Sequence, residues 1–192
     1  LYSQKSEIEG ETDMSDVRKD LEALQIAIQT EEEGFQLFRT AADNTTHEFV
    51  KSIFTRLAKD EMLHKDLIQK FYARLQDSGS WQELSPEDKD YSSTKTEMKT
   101  IFSMALQKAK SGDLNISESD VEVYRRAVQF EKDGADLYDR LYNETQDELA
   151  KKFYAFLREM ETEHMELLDN TLQYLDSPNN WYLLQEGWTL DD

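Results

Sequence analysis

The sequence predicts an all-α fold: an antiparallel four-helix bundle made of two duplicated helical hairpins joined by a long crossover. Three observations carry this. In four long stretches apolar residues recur at alternating steps of four and three, the spacing of one helix face. The second pair of stretches repeats the first at an offset of one hundred. Over 27–75 against 127–175, 13 of 49 positions are identical without a gap, among them Glu31, Gly34, Glu61 and His64 with their partners. Finally, the 192 residues include only six Gly and two Pro, too few for a turn-rich β fold.

The first helix is expected over about 14–43, on the stripe Val17, Leu21, Leu24, Ile28, Glu31, Phe35, Phe38 and Ala42. The second spans about 46–77, on Val50, Phe54, Leu57, Glu61, His64, Ile68, Phe71 and Leu75. Thr45 with Glu48 has the spacing of a capping box and would open it. The third and fourth helices, about 118–143 and 146–176, carry Val121, Tyr124, Val128, Glu131, Ala135, Tyr138 and Tyr142, then Ala150, Tyr154, Leu157, Glu161, His164, Leu168, Thr171 and Leu175. Thr145 with Glu148 repeats the capping box. Asp13 or Ser15 is placed to cap the first helix, and Ser117 the third. Turns of two or three residues make each pair an antiparallel hairpin.

The connection 78–117 is long enough to cross the length of the bundle. It opens with turn formers (Ser78, Gly79, Ser80, Ser85, Pro86) and continues into a candidate short helix near 93–110. One side of that helix is apolar, with Met98, Ile101, Phe102, Ala105, Leu106 and Ala109, a candidate surface for a homodimer. Residues 1–178 are expected to form one domain, and 179–192 an aromatic tail that packs back on it.

Composition excludes several function classes. Lys and Arg number 22 against 41 Asp and Glu, a net charge of −19. That charge argues against nucleic acid as a partner; it reads first as a well-solvated surface and would also suit the attraction of cations. There is no cysteine, which removes disulfides, thiolate metal sites, iron–sulfur clusters and Cys nucleophiles together. No run approaches the roughly 20 apolar residues of a membrane span, and no apolar leader with basic flanks precedes the first helix. A cytoplasmic location is therefore expected. Nine Phe, nine Tyr and three Trp are too many aromatics for a disordered acidic chain.

The informative feature is what interrupts the apolar stripes: Glu31, Glu61, His64, Glu131, Glu161 and His164. All six fall near the middle of their helices. A buried carboxylate without a partner costs several kcal/mol or is driven to hold its proton. No Lys or Arg occupies any stripe, so positive charge must come from elsewhere. Glu-x-x-His places both side chains on one helix face. Two such pairs plus one Glu from each remaining helix form the ligand set of a dinuclear carboxylate bundle. Oxygen-rich ligation with two imidazoles suits two Fe ions, or Mn, better than tetrahedral Zn.

The other polar candidates read differently. His47 is expected at the surface, in the first turn of its helix, and Glu32 and Glu33 on a solvated face. Gly34 and Gly134, one turn after Glu31 and Glu131, cost helix stability and suggest a steric need beside the site. Tyr138, whose repeat partner is Phe38, and Tyr124, whose partner is Leu24, are candidates to support the metal ligands by a hydrogen bond or by shuttling an electron. Packing with an outward-reaching hydroxyl is the leading expectation for both.

These residues resemble the ferritin-like superfamily and, within it, the rubrerythrin-related proteins. The motifs are Glu31 with the Gly-Phe-x-Leu-Phe that follows, Glu61-Met-Leu-His64, Glu131 with Gly-x-x-Leu-Tyr138, and Glu161-Thr-Glu-His164. The resemblance spans about 15–176. It implies that Glu31 and His64 serve one iron, Glu131 and His164 the other, and that Glu61 and Glu161 bridge them. It implies a non-haem di-iron oxidoreductase reducing hydrogen peroxide or O₂, in which the same six residues are catalytic. Relatives that oxidise Fe(II) for storage supply the alternative activity, and a non-catalytic metal-binding or structural bundle is a third. At Gly134 typical rubrerythrins carry a further Glu that supports a redox-linked shift of one iron. They also carry a cysteine-rich rubredoxin domain, absent from this sequence, so electrons are expected from an external donor protein.

Overall fold

The four apolar stripes fold as four long helices. A computed structural model of the chain describes residues 14–89 and 118–176. In chain order the helices are α1 (Met14–Asn44), α2 (Glu48–Ser78), the short α3 (Pro86–Lys89), α4 (Glu118–Glu144) and α5 (Glu148–Asp176). Among the described residues there is no strand, and no helix is long and apolar enough to cross a membrane. The candidate helix near 93–110 with its dimer surface, the caps Asp13 and Ser117, and the tail 179–192 lie outside the described residues.

α1 packs along α2 and α4 along α5, giving two hairpins, and α1 also meets α4. Aromatic rings lock the hairpins together. Phe54 of α2 lies 4.7 Å from Tyr124 of α4, and Phe71 of α2 lies 4.3 Å from Phe153 of α5, between ring centroids. The bundle of two helical hairpins expected from the stripes is thus the observed architecture.

The helix starts differ from the expected capping boxes. α2 begins at Glu48 with His47 as its N-cap, the imidazole Nδ1 accepting from Val50 N at 3.4 Å. α5 begins at Glu148, and Asp147 Oδ1 accepts from Leu149 N at 2.8 Å and Ala150 N at 3.0 Å. Thr45 and Thr145 sit one step earlier, where their hydroxyls accept from the backbone N of His47 and Asp147, both at 3.2 Å. The threonines shape the turn and the residue two further on caps the helix. His47 is therefore half-buried and structural rather than a free surface residue. Ser15 likewise lies inside α1, which starts at Met14.

The segment after α2 is pinned to the end of the bundle. Gly79 adopts a left-handed φ of 68° and its N–H closes the helix on Leu75 O at 2.8 Å, a conformation glycine adopts without a Cβ penalty. The indole Nε1 of Trp81 donates to Asp20 Oδ2 of α1 at 2.7 Å, and its ring packs on Phe153 and Tyr154 of α5. Ser85 and Asp88 then form a reciprocal capping box on α3: Ser85 N donates to Asp88 Oδ2 at 3.0 Å and Asp88 N to Ser85 Oγ at 3.2 Å. Pro86 takes the first helical position, where no N–H is needed. Lys70 and Arg74 of α2 pair with the buried Asp88.

Two apolar clusters divide the interior. One gathers Phe38, Val50, Ile53, Phe54, Leu57, Tyr124 and Leu168, the other Leu24, Leu67, Phe71, Leu137, Phe153, Tyr154 and Leu157. On each long helix the residues of the two clusters lie on either side of a polar position: Glu31, Glu61 with His64, Glu131, or Glu161 with His164.

Candidate metal centre

Glu31 and Glu131 reach the midplane from α1 and α4, one carboxylate per helix. Glu61 with His64 and Glu161 with His164 reach it from α2 and α5, one turn apart on the same face. None of the six is more than 3 % exposed. The structure brings all six sequence candidates into one cluster between the two apolar halves.

The six form two overlapping sets of four, and Glu61, His64 and His164 make a further set that joins them. Glu31, Glu61, His64 and Glu161 each offer one N or O atom, all within 4.8 Å of one another; Glu61, Glu131, Glu161 and His164 form a second such set. Glu61 and Glu161 belong to both. His64 Nδ1 lies 3.2 Å from Glu31 Oε2 and 3.6 Å from Glu161 Oε1. His164 Nδ1 lies 3.1 Å from Glu61 Oε1 and 3.3 Å from Glu131 Oε1. The two imidazoles stack with centroids 5.0 Å apart.

The donor set fits two cations. Glu61 Oε1, both carboxylate oxygens of Glu131 and His164 Nδ1 are buried and make no hydrogen bond. Leaving such atoms unsatisfied is costly, and here they converge on a shared centre.

The electrostatics of the cluster point the same way. Burial, reinforced by the charges of Glu131, Glu161 and Glu31, pushes Glu61 well above the usual carboxylate range. Burial likewise raises Glu131, which faces Glu161. Burial alone would lower His64, but Glu161 and Glu31 carry it up to about 10; His164 rises for the same reason, beside Glu131 and Asp60. Glu161 moves down to about 2 against the effect of burial, through its contacts with Glu131 and His64. The shifts of Glu61, Glu131 and both histidines all favour the proton-bearing form, positive charge that two cations would otherwise supply.

The surroundings separate the two candidate supporting tyrosines. Tyr138 of α4 is fully buried and its hydroxyl donates to Glu31 Oε1 across the bundle. Burial and the neighbouring Glu31 push its pKa well up, so it stays a neutral donor. Tyr124 is also fully buried but packs on Phe54 in the apolar cluster. The outward-reaching hydroxyl expected of both residues is observed for neither: each ring points into the bundle, where its repeat partner is an apolar Phe38 or Leu24. Glu32 and Glu33 do turn away, Glu32 pairing with Lys65 at 2.8 Å and Glu33 accepting from Gln29 at 2.8 Å.

Asp60 was not legible as a site residue. It is 1 % exposed, and its Oδ2 lies 2.8 Å from Arg56 Nε and 3.7 Å from His164 Nε2. Burial would raise its pKa, but His164 and Arg56 outweigh that and hold it below the usual value. Its repeat partner is Met160, so the duplication does not flag it. The available signal was an acidic residue abutting the motif with an Arg one turn earlier.

Four helices, two overlapping ligand sets and two shared glutamates define a ferritin-like bundle with a candidate dinuclear metal centre. The family model described as rubrerythrin matches residues 22–172, and the chain belongs to the rubrerythrin family, a family of di-iron bundles. Comparisons with curated proteins and with solved structures give no match.

Proposed function

We propose that the protein is a di-iron oxidoreductase that reduces hydrogen peroxide. The observation that carries this reading is a two-ion ligand set, buried between apolar clusters, with a neutral proton-bearing phenol at its edge. Glu31 and His64 would hold one ion, Glu131 and His164 the other, and Glu61 and Glu161 would be shared. A bound pair of Fe(II) ions supplies two electrons, the number that conversion of one hydrogen peroxide and two protons to two waters requires.

The chain's own residues prepare the site for that chemistry. Tyr138 keeps its proton at Oη against Glu31 Oε1, so a donor is fixed in place beside the reacting region. The two apolar clusters exclude bulk water from both sides. Asp60 and Arg56 hold the imidazole of His164 from behind. Turnover needs a reductant, and we assign that role to a separate donor protein.

The test is anaerobic loading with two Fe(II) per chain, followed by separate additions of H₂O₂ and O₂ under stopped flow. Oxidation by peroxide is expected to be much the faster. Equal or reversed rates would favour Fe(II) oxidation, the storage-type alternative.

A further inference from the structure

The ligands obey the internal repeat, but the groups behind them do not. Asp60 corresponds to Met160, Arg56 to Phe156 and Tyr138 to Phe38. The consequences fall on opposite halves of the centre. His164 has the carboxylate of Asp60 3.7 Å from its Nε2, and Asp60 is itself fixed by Arg56 at 2.8 Å. His64 is paired only through Nδ1, with glutamates of the cluster; among the described residues no carboxylate approaches its Nε2. Conversely, Glu31 accepts a hydrogen bond from the Tyr138 hydroxyl, whereas neither oxygen of Glu131 accepts one, Oε1 only facing His164 Nδ1 at 3.3 Å.

Resting on the dinuclear reading above, we infer that the two metal positions are inequivalent and that Asp60, anchored by Arg56, makes the Glu131–His164 position the one that fills first. An imidazole that binds metal through Nδ1 carries its proton on Nε2. For His164 that proton faces Asp60. A carboxylate on the outer N–H fixes the ring's tautomer and orientation and makes the ligating nitrogen more basic. Asp60 is buried, and the Arg56 guanidinium at 2.8 Å fixes its position behind the imidazole. The hydrogen bond from Tyr138 acts in the same sense on the other half, drawing electron density from Glu31 and weakening it as a donor. Both asymmetries favour the Glu131–His164 position. Asp60 is thus a positioning residue, acting through His164.

The experiment is an anaerobic titration of the chelator-stripped full chain with Co(II), followed by calorimetry and by the visible absorption of bound Co(II). Two ions per chain are expected, in two steps, the first tighter by at least about tenfold. Asp60→Asn is expected to weaken the first step by about 10–100-fold and to leave the second in place. A general loosening of the bundle would weaken both steps. If Asp60→Asn does not fold, the single-histidine variants carry the test: His64→Ala keeps the tight step and loses the weak one, and His164→Ala does the reverse. Two steps of equal affinity in the unsubstituted protein, an Asp60→Asn variant with both steps unchanged, or a tight step surviving in His164→Ala would each overturn the inference while leaving a dinuclear centre. Failure of the unsubstituted protein to take up Co(II) would instead sink the dinuclear reading itself.

Discussion

Gly34→Ala and Gly134→Ala are expected to move the protein in opposite directions, although the two glycines occupy matched positions of the repeat. Each lies one turn after a candidate ligand, Glu31 or Glu131. In both cases Ala gains about 1 kcal/mol of helix propensity over Gly. The surroundings differ. A Cβ at Gly34 would stand 2.8 Å from Phe130 Cε1, 3.0 Å from Glu61 Oε2 and 3.1 Å from Glu61 Cδ. The first of these distances is shorter than real Cβ contacts, and Glu61 is held in the packed cluster. Overpacking of this kind costs about 1–3 kcal/mol, so Gly34→Ala is expected to be net destabilising by up to about 2 kcal/mol and to displace a shared carboxylate. At Gly134 the nearest atoms, all of Glu161, are at 3.5 Å, ordinary contact. Gly134→Ala is therefore expected to stabilise by about 0.5–1 kcal/mol. Urea unfolding of the chelator-stripped proteins reads the stability difference, and bound metal per chain reads the effect on Glu61. A Gly34→Ala variant that is more stable than the parent and binds metal equally well would refute the steric reasoning, as would a Gly134→Ala variant that loses more than about 1 kcal/mol.

Three further outcomes follow from the geometry. Tyr138→Phe removes the donor to Glu31 and is expected to slow peroxide reduction by about 100-fold while metal content, read by elemental analysis, stays at two ions per chain. His47→Asp places at the start of α2 the residue that caps α5, where Asp147 accepts two short hydrogen bonds against the single 3.4 Å contact of His47; thermal unfolding should show a gain of about 0.5–1 kcal/mol. Metal uptake should strengthen as pH rises from 6 to 8. The proton-bearing forms are favoured at His64, raised to about 10, and at His164, Glu61 and Glu131, all raised. Each ion must displace such protons, and raising the pH removes the competitor. The apparent affinity should therefore climb about tenfold per pH unit for each proton released, with the release measurable in weak buffer; an affinity independent of pH would contradict the proton-filled cluster.

The bundle was legible because its stripe spacing of four and three runs the length of four long stretches and is repeated. The six site residues were legible for the complementary reason: an acid or imidazole on a buried stripe has no cheap explanation. What stayed hidden depends on contacts between helices. Asp60 lies off the stripe and has Met160 as its repeat partner, so only the fold shows that it backs His164. Gly34 and Gly134 are the same residue in the same frame, and it takes the position of Phe130 to make one of them sterically required. The cap of α2 was misplaced because imidazole is not among the usual N-cap groups; at α5 the familiar spacing of threonine with a downstream Glu drew the assignment away from Asp147. Trp81 and Asp20 are 61 residues apart, and nothing local joins them.

The most direct test of the centre is the unfolding midpoint of one preparation, measured after exhaustive chelation and again after anaerobic addition of excess Fe(II). Two ions per chain should bind. At free metal about a thousandfold above the dissociation constant, each site adds about 4 kcal/mol, so the midpoint should rise by roughly 10 °C or more. A chelated protein that melts at the same temperature with and without Fe(II), and holds no transition metal afterwards, would contradict a cation pair as what neutralises the four buried glutamates.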